Sequence, residues 1–364
     1  MKSKLFRAIG LMSGTSIDGI DAALVETDGI SVVQPLGFVP YSYDQSFRAR
    51  IRAHFGRTEN PKSPEITSLE RELTDLHAEI VHKLLEHVNG KAGVIDVIGF
   101  HGQTLWHHPK EGVTFQIGDG ALLAKATGIP VVNDFRSADV KAGGQGAPLV
   151  PLYHRALAAG LPKPVAILNV GGVSNITWIG GDSDDEILAF DVGPGNAPLD
   201  DWVLRHTSQA FDEYGVLASS GSIHHEFLNE ALAHPFFKQK PPKSLDRNTF
   251  TNLVPDDLSA ADGAATITKI IARSVVNGLS FMPQKPKYLY VTGGGRLNST
   301  LMRYIADLTE IPVSSVDDLG WSGDGLEAEA FAYLAVRSRL GLPLSVPGTT
   351  GVAEPVTGGK FYKP

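Results

Sequence analysis

Three short stretches of this sequence carry residue types suited to holding phosphate. GLMSGTSIDGID, from Gly10 to Asp21, sets three glycines, two serines, a threonine and two aspartates between apolar runs. NVGGVSN, around Gly171 and Gly172, and VTGGGRLN, around Gly293, Gly294 and Gly295, have the same character. Consecutive backbone amides in such turns can converge on a phosphate oxygen, because glycine has no Cβ to block the approach and tolerates positive φ. One turn of this kind reads equally well as an ordinary hairpin corner. Three of them, each after an apolar strand, shift the reading toward strand ends gathered at one crevice. The two commoner nucleotide signatures are missing: no G-x-x-x-x-G-K-[ST] occurs, and GGGRLNS lacks the spacing of a dinucleotide loop.

The elements that must position these turns follow from periodicity. Residues 6–11 read as a buried strand and 20–27 as its hairpin partner. Leu69, Leu73, Leu76, Ile80, Leu84 and Val88 keep helical spacing, predicting a helix from residue 66 that stops at Gly90. Residues 94–100 form a further apolar run that leads into HGQTLWHH, so His101 to Thr104 are expected at a strand end. GDGALLAKATG reads as a short helix closed by Gly128, followed by a strand over 129–132. After a helix at LVPLYHRALAAG the opening recurs: a strand over 165–170, the second glycine turn, and a strand over 176–179. Gly14 and Gly172 hold the same place in this pattern 158 positions apart, which predicts two structurally similar halves without sequence identity. YLYVTGGGRLN mirrors DVIGFHGQT, and helices are expected over 258–279 and 326–340. FFKQKPPKSLDRNTF, rich in Pro and Lys, reads as an exposed loop.

Composition narrows the chemistry. With 364 residues and 42% apolar content the chain can bury a large core, and its length favours two domains. Forty acidic against 32 basic residues give a formal net charge of -8 without long basic runs, which argues against nucleic-acid or membrane binding. The absence of cysteine excludes disulfides, thiolate zinc sites and cysteine nucleophiles, leaving oxygen and imidazole groups. No apolar stretch reaches signal-peptide length at the start, and none approaches the roughly 20 residues of a membrane span, so a cytoplasmic protein is expected. A homodimer is compatible by base rate.

Paired hairpin turns in two like halves, with a later glycine-rich turn, resemble the superfamily of sugar kinases, heat-shock ATPases and actin. Within it, GLMSGTSIDGIDAALVE, GFHGQTLWHHP, FQIGDGALLAKATGIPVVNDFRSADVKAGGQGAPLVP, LNVGGVSNIT, FDVGPGNAPLD, VTGGGRLN and DGLEAEAFAYLA resemble the anhydro-N-acetylmuramic acid kinase family. The likeness runs in order from about residue 8 to about residue 350. It implies an α/β fold of two similar RNase H-like domains with an interdomain cleft. The expected boundaries are 1–131 and 132–344, with a tail at about 345–364 packing back on the first domain. It implies ATP-dependent opening of the 1,6-anhydro ring of anhydro-N-acetylmuramate with phosphorylation at O6, in recycling of cell-wall sugar. In that sugar O6 is tied to C1, so water must add at C1 as O6 departs to the γ-phosphoryl group, and one base for the water suffices.

On this resemblance ATP would contact Gly14, Thr15, Ser16, Ile17, Asp18, Gly19, Ile20 and Asp21, then Gly171, Gly172 and Asn175, then Gly293, Gly294 and Gly295. Asp191, before a Gly/Pro turn, matches the family's catalytic aspartate and is the choice for the base; the alternative is an acceptor for the GPGN amides. Glu327, one turn into a helix, is a second catalytic candidate, while Asp324 reads better as a helix-dipole charge. His101, Gly102, Gln103 and Thr104 would face the sugar. The fork of Arg136 could clamp its lactyl carboxylate. Interior packing for His101 and an ordinary ion pair for Arg136 are the alternatives. His107 and His108 point to opposite faces of a strand and cannot share a metal. Many superfamily members carry an aspartate where this chain has Met12, so Asp18 and Asp21 are the candidates for a hydrated Mg²⁺; otherwise they are turn formers. Three rivals stay open. A kinase for a different sugar is one. A nucleotide switch is another, with no client-binding region expected after residue 364. An ATP-independent glycosidase pairing Asp191 with Glu327 is the third.

Overall fold

The computed structural model describes residues 4–57, 60–90 and 93–364. The chain divides into two compact units, Met1–Gly160 with Gly325–Pro364, and Leu161–Asp324.

In the first unit β1 (Phe6–Ser13), β2 (Gly19–Thr27) and β3 (Val33–Ser42) form an antiparallel meander. Two helices follow, α1 (Gln45–His54) and α2 (Pro64–His87). The α2 start is written locally: the Ser63 side chain accepts from the Ile66 amide, Pro64 stands at the first turn, and Ile66, Leu69, Leu73, Ile80 and Leu84 turn one apolar stripe into the core. Strand β4 (Val97–His108) then pairs parallel to β1, with β5 (Val113–Ile117) folding back on its far end. Helix α3 (Gly120–Thr127), capped by Asp119 and ended by Gly128 in the left-handed region, leads to β6 (Val131–Asn133), parallel to β4. Short helices α4 (Ser137–Lys141) and α5 (Pro151–Leu157) complete this run.

The second unit repeats the plan. Strands β7 (Val165–Val170), β8 (Val173–Ile179) and β9 (Ile187–Pro194) form the meander. Helices α6 (Ala197–Thr207), α7 (Val216–Ser220), α8 (His225–Leu232) and α9 (Ala260–Leu279) follow. Strand β10 (Tyr288–Thr292) lies parallel to β7, and after α10 (Ser299–Thr309) comes β11 (Val313–Ser315), parallel to β10. The sheet orders β3-β2-β1-β4-β6 and β9-β8-β7-β10-β11 are the same topology, confirming the two like halves anticipated from the sequence.

The chain then returns to the first unit through α11 (Leu326–Arg339), α12 (Pro347–Thr350) and β12 (Lys360–Tyr362), which pairs with β6. This differs from the boundaries expected at 131 and 344: residues 132–160 and 325–344 also belong to the first unit. Packing explains α11. A Cβ on Gly10 would lie 1.8 Å from the Ala328 carbonyl oxygen, and one on Gly99 would lie 2.0 Å from that of Phe331. These glycines let the helix backbone rest directly on β1 and β4.

Two further expectations need correcting. His101 to Thr104 lie inside β4, not at its end, on an irregular stretch where Gly102 has φ +73 and a Cβ would strike the Ile117 carbonyl oxygen at 2.2 Å. The stretch expected as an exposed loop buries Phe236, Phe237, Phe250 and even Lys243. The Lys243 ammonium stands over the Phe236 and Phe281 rings at 4.4 and 4.6 Å, so a polar composition is satisfied inside by cation–π contacts. Among the described residues no helix is long and apolar enough to cross a membrane.

Candidate active site

In the first unit, the β1–β2 corner is a tight turn in which the Ile17 amide donates to the Gly14 carbonyl at 3.2 Å, with Ile17 at φ 55. The side chains of Ile17 and Ile20 are buried in the core, so only their backbone can meet a ligand. Thr15, Ser16 and Asp18 are exposed, and Ser16 donates to Asp18 Oδ1 at 2.7 Å. A Cβ on Gly14 would meet nothing nearer than Ser16 Oγ at 3.5 Å, so packing does not require glycine there. Gly19 is different, because its Cβ would collide with the Tyr41 carbonyl oxygen at 1.9 Å. The corner is held from beneath by Gln103. Its Nε2 donates to the Gly14 carbonyl at 3.0 Å and its Oε1 accepts from Ser13 Oγ at 2.6 Å. Gln103 is fully buried, and its polar atoms are spent on the corner. Thr104 is also buried and accepts from Gln116 Nε2 at 3.2 Å.

His101 and Arg136 are brought together. Arg136 donates from Nε at 3.0 Å and Nη2 at 2.8 Å to His101 Nε2, and from Nη1 to the Gly146 carbonyl at 2.7 Å. His101 Nε2 is therefore bare, and its proton sits on Nδ1, 2.7 Å from the Gly102 carbonyl. Burial and then the Arg136 charge hold His101 well below the ordinary histidine range, so the ring is neutral. Burial also lowers Arg136, to about 10, against the opposing pull of Glu327 and Asp139. Glu327 on α11 is pushed up by burial, eased by Arg136 and pushed further by Asp18. Arg136, Glu327 and Asp18 thus form one electrostatic group in this unit.

Burial pushes the Tyr43 hydroxyl upward, opposed by its hydrogen bond with Ser13, and the charges of Asp18 and Asp21 both add to the rise. Among the described residues no group of three or more His, Asp or Glu is placed to hold a metal. A magnesium ion that keeps most of its waters needs only one or two carboxylate ligands. His107 is engaged elsewhere, with Nδ1 at 2.9 Å from Thr114 Oγ1 and Nε2 at 2.8 Å from the Gln145 carbonyl.

In the second unit the other two glycine turns converge. The Asn196 amide donates to the Gly171 carbonyl at 2.7 Å, the Gly195 amide to Gly172 at 3.1 Å, and Asn196 Nδ2 to Val170 at 3.1 Å. This ties the second turn to the start of α6. Gly293, at φ +75, packs against Asn169, and Gly295 packs against Val170, so the third turn closes on the second. Gly171, Gly172 and Gly294 are again the free ones, with no protein atom within 3.3 Å of where a Cβ would be. Three open glycines beside a helix N-terminus form a surface able to receive phosphate.

Asp191 lies in β9 rather than at its end, opposite Asn175 of β8. Its Oδ2 accepts from the Leu245 amide at 2.7 Å and its own amide donates to the Lys243 carbonyl at 3.1 Å. Burial pushes its carboxyl up to about 7, opposed by the Leu245 hydrogen bond and the Lys243 charge. Burial lowers the Lys243 ammonium to about 8, opposed by Asp191. The GPGN amides are therefore not its partners; the segment misread as a loop supplies them. Lys243 was invisible to sequence reasoning, because nothing local marks a lysine that aromatic rings will enclose. Asp324 is exposed and pairs with Arg296 at 2.9 Å.

Two α/β units sharing one strand order, with glycine turns at the ends of their first strands, define a protein of the actin-like ATPase fold. The same fold is seen in component A of the (R)-2-hydroxyglutaryl-CoA dehydratase of Acidaminococcus fermentans. That likeness has a TM-score of 0.50 at 10% identity, over 92% of this chain and 99% of that one. The family model for anhydro-N-acetylmuramic acid kinase matches residues 6–364. Proteins of that name from Rhizorhabdus wittichii and Rhodospirillum rubrum are 52% and 50% identical, each covering 98% of this chain, which covers 99% and 94% of them. The chain belongs to the anhydro-N-acetylmuramic acid kinase family.

Proposed function

We propose that this kinase uses ATP and water to open the 1,6-anhydro ring of anhydro-N-acetylmuramate and phosphorylates O6, giving N-acetylmuramate 6-phosphate and ADP. The observation that carries the mechanism is Asp191: a carboxyl raised to about 7 by burial and aimed by the Leu245 amide is a base matched to neutral pH. It accepts a proton from water as that oxygen bonds to C1. The C1–O6 bond breaks, and O6 keeps the electron pair and takes the γ-phosphoryl group as ADP departs. Gly171, Gly172 and Gly294 receive the phosphates in the second unit, and the amides of Gly14 to Ser16 do so in the first. Asn175, opposite Asp191 in the β8–β9 pair, belongs to the nucleotide side of the site. Mg²⁺ held by Asp18 and Asp21 would neutralise developing charge on the phosphates.

Glu327 is the second carboxylate, its charge tempered by Arg136. Because the fork of Arg136 is already committed to His101 and Gly146, its role is to hold the neutral His101 ring and temper Glu327. It does not serve as a free clamp for the lactyl carboxylate. Gln103 positions the first glycine corner, leaving Gly102 and Thr104 to shape the wall beside the sugar. A function in reclaiming cell-wall sugar with ATP fits a protein working in the cytoplasm, where ATP is supplied.

The test is incubation with ATP and anhydro-N-acetylmuramate in H₂¹⁸O. ADP and a 6-phosphosugar should appear in equal amounts with the label at the C1 hydroxyl. ATP loss without sugar consumption supports a nucleotide switch, and ring opening without ATP supports a glycosidase; either overturns the reading.

A further inference from the structure

Arg136 is held on one side by His101 and on the other by the Gly146 carbonyl. What holds Gly146 lies outside the site. Its amide donates to Asp139 Oδ1 at 2.6 Å, and the Asp139 carbonyl accepts from the Gly144 amide at 2.9 Å. The residue between is pinned as well: the Gln145 amide donates to the Thr350 carbonyl, and its own carbonyl accepts from His107 Nε2, both at 2.8 Å. With that proton committed, His107 accepts at Nδ1 from Thr114 Oγ1 at 2.9 Å. The loop is also pressed against its supports. Gly146 sits at φ +69, where a Cβ would lie 2.7 Å from Val140 Cγ2, and a Cβ on Gly144 would lie 2.2 Å from Asp139 Oδ1.

The Asp139 carboxylate is buried and shared. Its Oδ2 accepts from Thr350 Oγ1 at 2.5 Å and from Ser345 Oγ. These hydroxyls meet one oxygen because α12 makes a single turn between them, started at Pro347 and ended by Gly351 at φ +79. The Ser345 carbonyl accepts from the Val356 amide at 3.0 Å, so the segment folds back on itself before it reaches β12. A buried carboxylate keeps its place only while its donors do, since each missing donor leaves charge without a partner. Asp139 also acts on Arg136 by charge, after Glu327 among the groups that oppose the lowering by burial.

We infer that Asp139, Ser345 and Thr350 are positioning residues of the kinase: the C-terminal segment fixes the Asp139 carboxylate, which fixes Gly146, which sets Arg136 against His101 and Glu327. They act through Arg136 rather than on substrate. This rests on the reading that Glu327 is the second carboxylate of the reaction. Removing the two hydroxyls loosens a guanidinium through a chain of hydrogen bonds within the first unit, and leaves the glycine turns of the second unit as they are.

The experiment compares the wild-type protein with the double variant Ser345→Ala, Thr350→Val and with Thr350→Ser. Steady-state kinetics with ATP and anhydro-N-acetylmuramate are read beside solvent exchange of the Arg136 Nε–H, followed by NMR with ¹⁵N-labelled arginine and assigned by its loss in Arg136→Lys. The double variant should lose about tenfold in kcat, keep KM for ATP within about twofold, and exchange the Nε–H at least about tenfold faster. Thr350→Ser keeps the hydroxyl and should stay within about twofold of wild type in all three. Should the double variant not fold, Thr350→Val alone carries the same comparison with about threefold effects. A variant that melts earlier yet keeps kcat and a protected Nε–H, a fall in kcat matched by a rise in KM for ATP, or an Nε–H already in fast exchange in wild type overturns the inference. A wild-type protein that does not phosphorylate the sugar sinks the kinase reading instead, while the exchange measurement still decides the positioning chain.

Discussion

Asp191→Asn separates a catalytic base from a turn-forming acceptor by two measurements of opposite sign. The folded carboxyl titrates at about 7 against its ordinary 3.8. The folded state therefore holds this proton more tightly than the unfolded chain. Ionising it costs stability increasingly as pH climbs from about 4 through 7, and in full above 7. The gap corresponds to roughly 4 kcal/mol, and some solvent contact at the carboxylate reduces the expectation to about 2 kcal/mol. Asparagine carries no charge and its carbonyl can still accept from the Leu245 amide, so the variant should melt close to wild type at about pH 4, where both states hold the proton. At pH 8.5 it should melt roughly 4–8 °C higher for a unit of this size. Its turnover should nonetheless fall about 10²-fold to 10⁴-fold. Wild-type kcat should show an acid limb near pH 7, because the base must be ionised. Scanning calorimetry at the two pH values and a coupled ADP assay supply the data. A variant that melts earlier at both pH values while keeping most of its turnover would refute the argument and make Asp191 a structural acceptor.

Two other perturbations probe the first unit. Gly14→Val introduces a side chain where no protein atom crowds the Cβ, so the melting temperature should hold while KM for ATP rises at least about tenfold; unchanged KM would remove the corner from the nucleotide site. Asp139 is buried, accepting from Thr350 Oγ1 at 2.5 Å, from the Gly146 amide at 2.6 Å and from Ser345. Asp139→Ala should cost about 2–4 kcal/mol by orphaning these donors, and should open residues 345–364 to limited proteolysis. A tail that stays protected, with melting unchanged, would contradict that role.

The features legible before the fold was known are those written within a few residues. Ser63, Pro64 and the apolar stripe from Ile66 specify α2 locally, and Asp119 and Gly128 bracket α3. The recurrence of strand, glycine turn and strand around Gly14 and Gly172 disclosed the doubled topology, because a turn's backbone demands are met by its own residues.

Partners distant in sequence were not legible. Composition marked residues around Lys243 as a surface loop, yet Phe236 and Phe281 enclose that lysine and the Leu245 amide aims Asp191. His101 and Arg136 read as free sugar contacts, but 35 positions apart they find each other and spend their polar atoms there. Gln103 reads as a sugar contact too, but lies beneath Gly14, 89 positions away.

By itself the sequence determined the glycine corners, the main helices and the family, because those depend on local backbone preference and on long motifs in order. Only the tertiary structure decided that α11 rests on β1 and β4 through Gly10 and Gly99, which polar side chains remain free for a ligand, and where Asp191 finds its hydrogen bond. Such outcomes turn on which remote backbone arrives within about 3 Å of a polar atom, and on how much water that arrival removes.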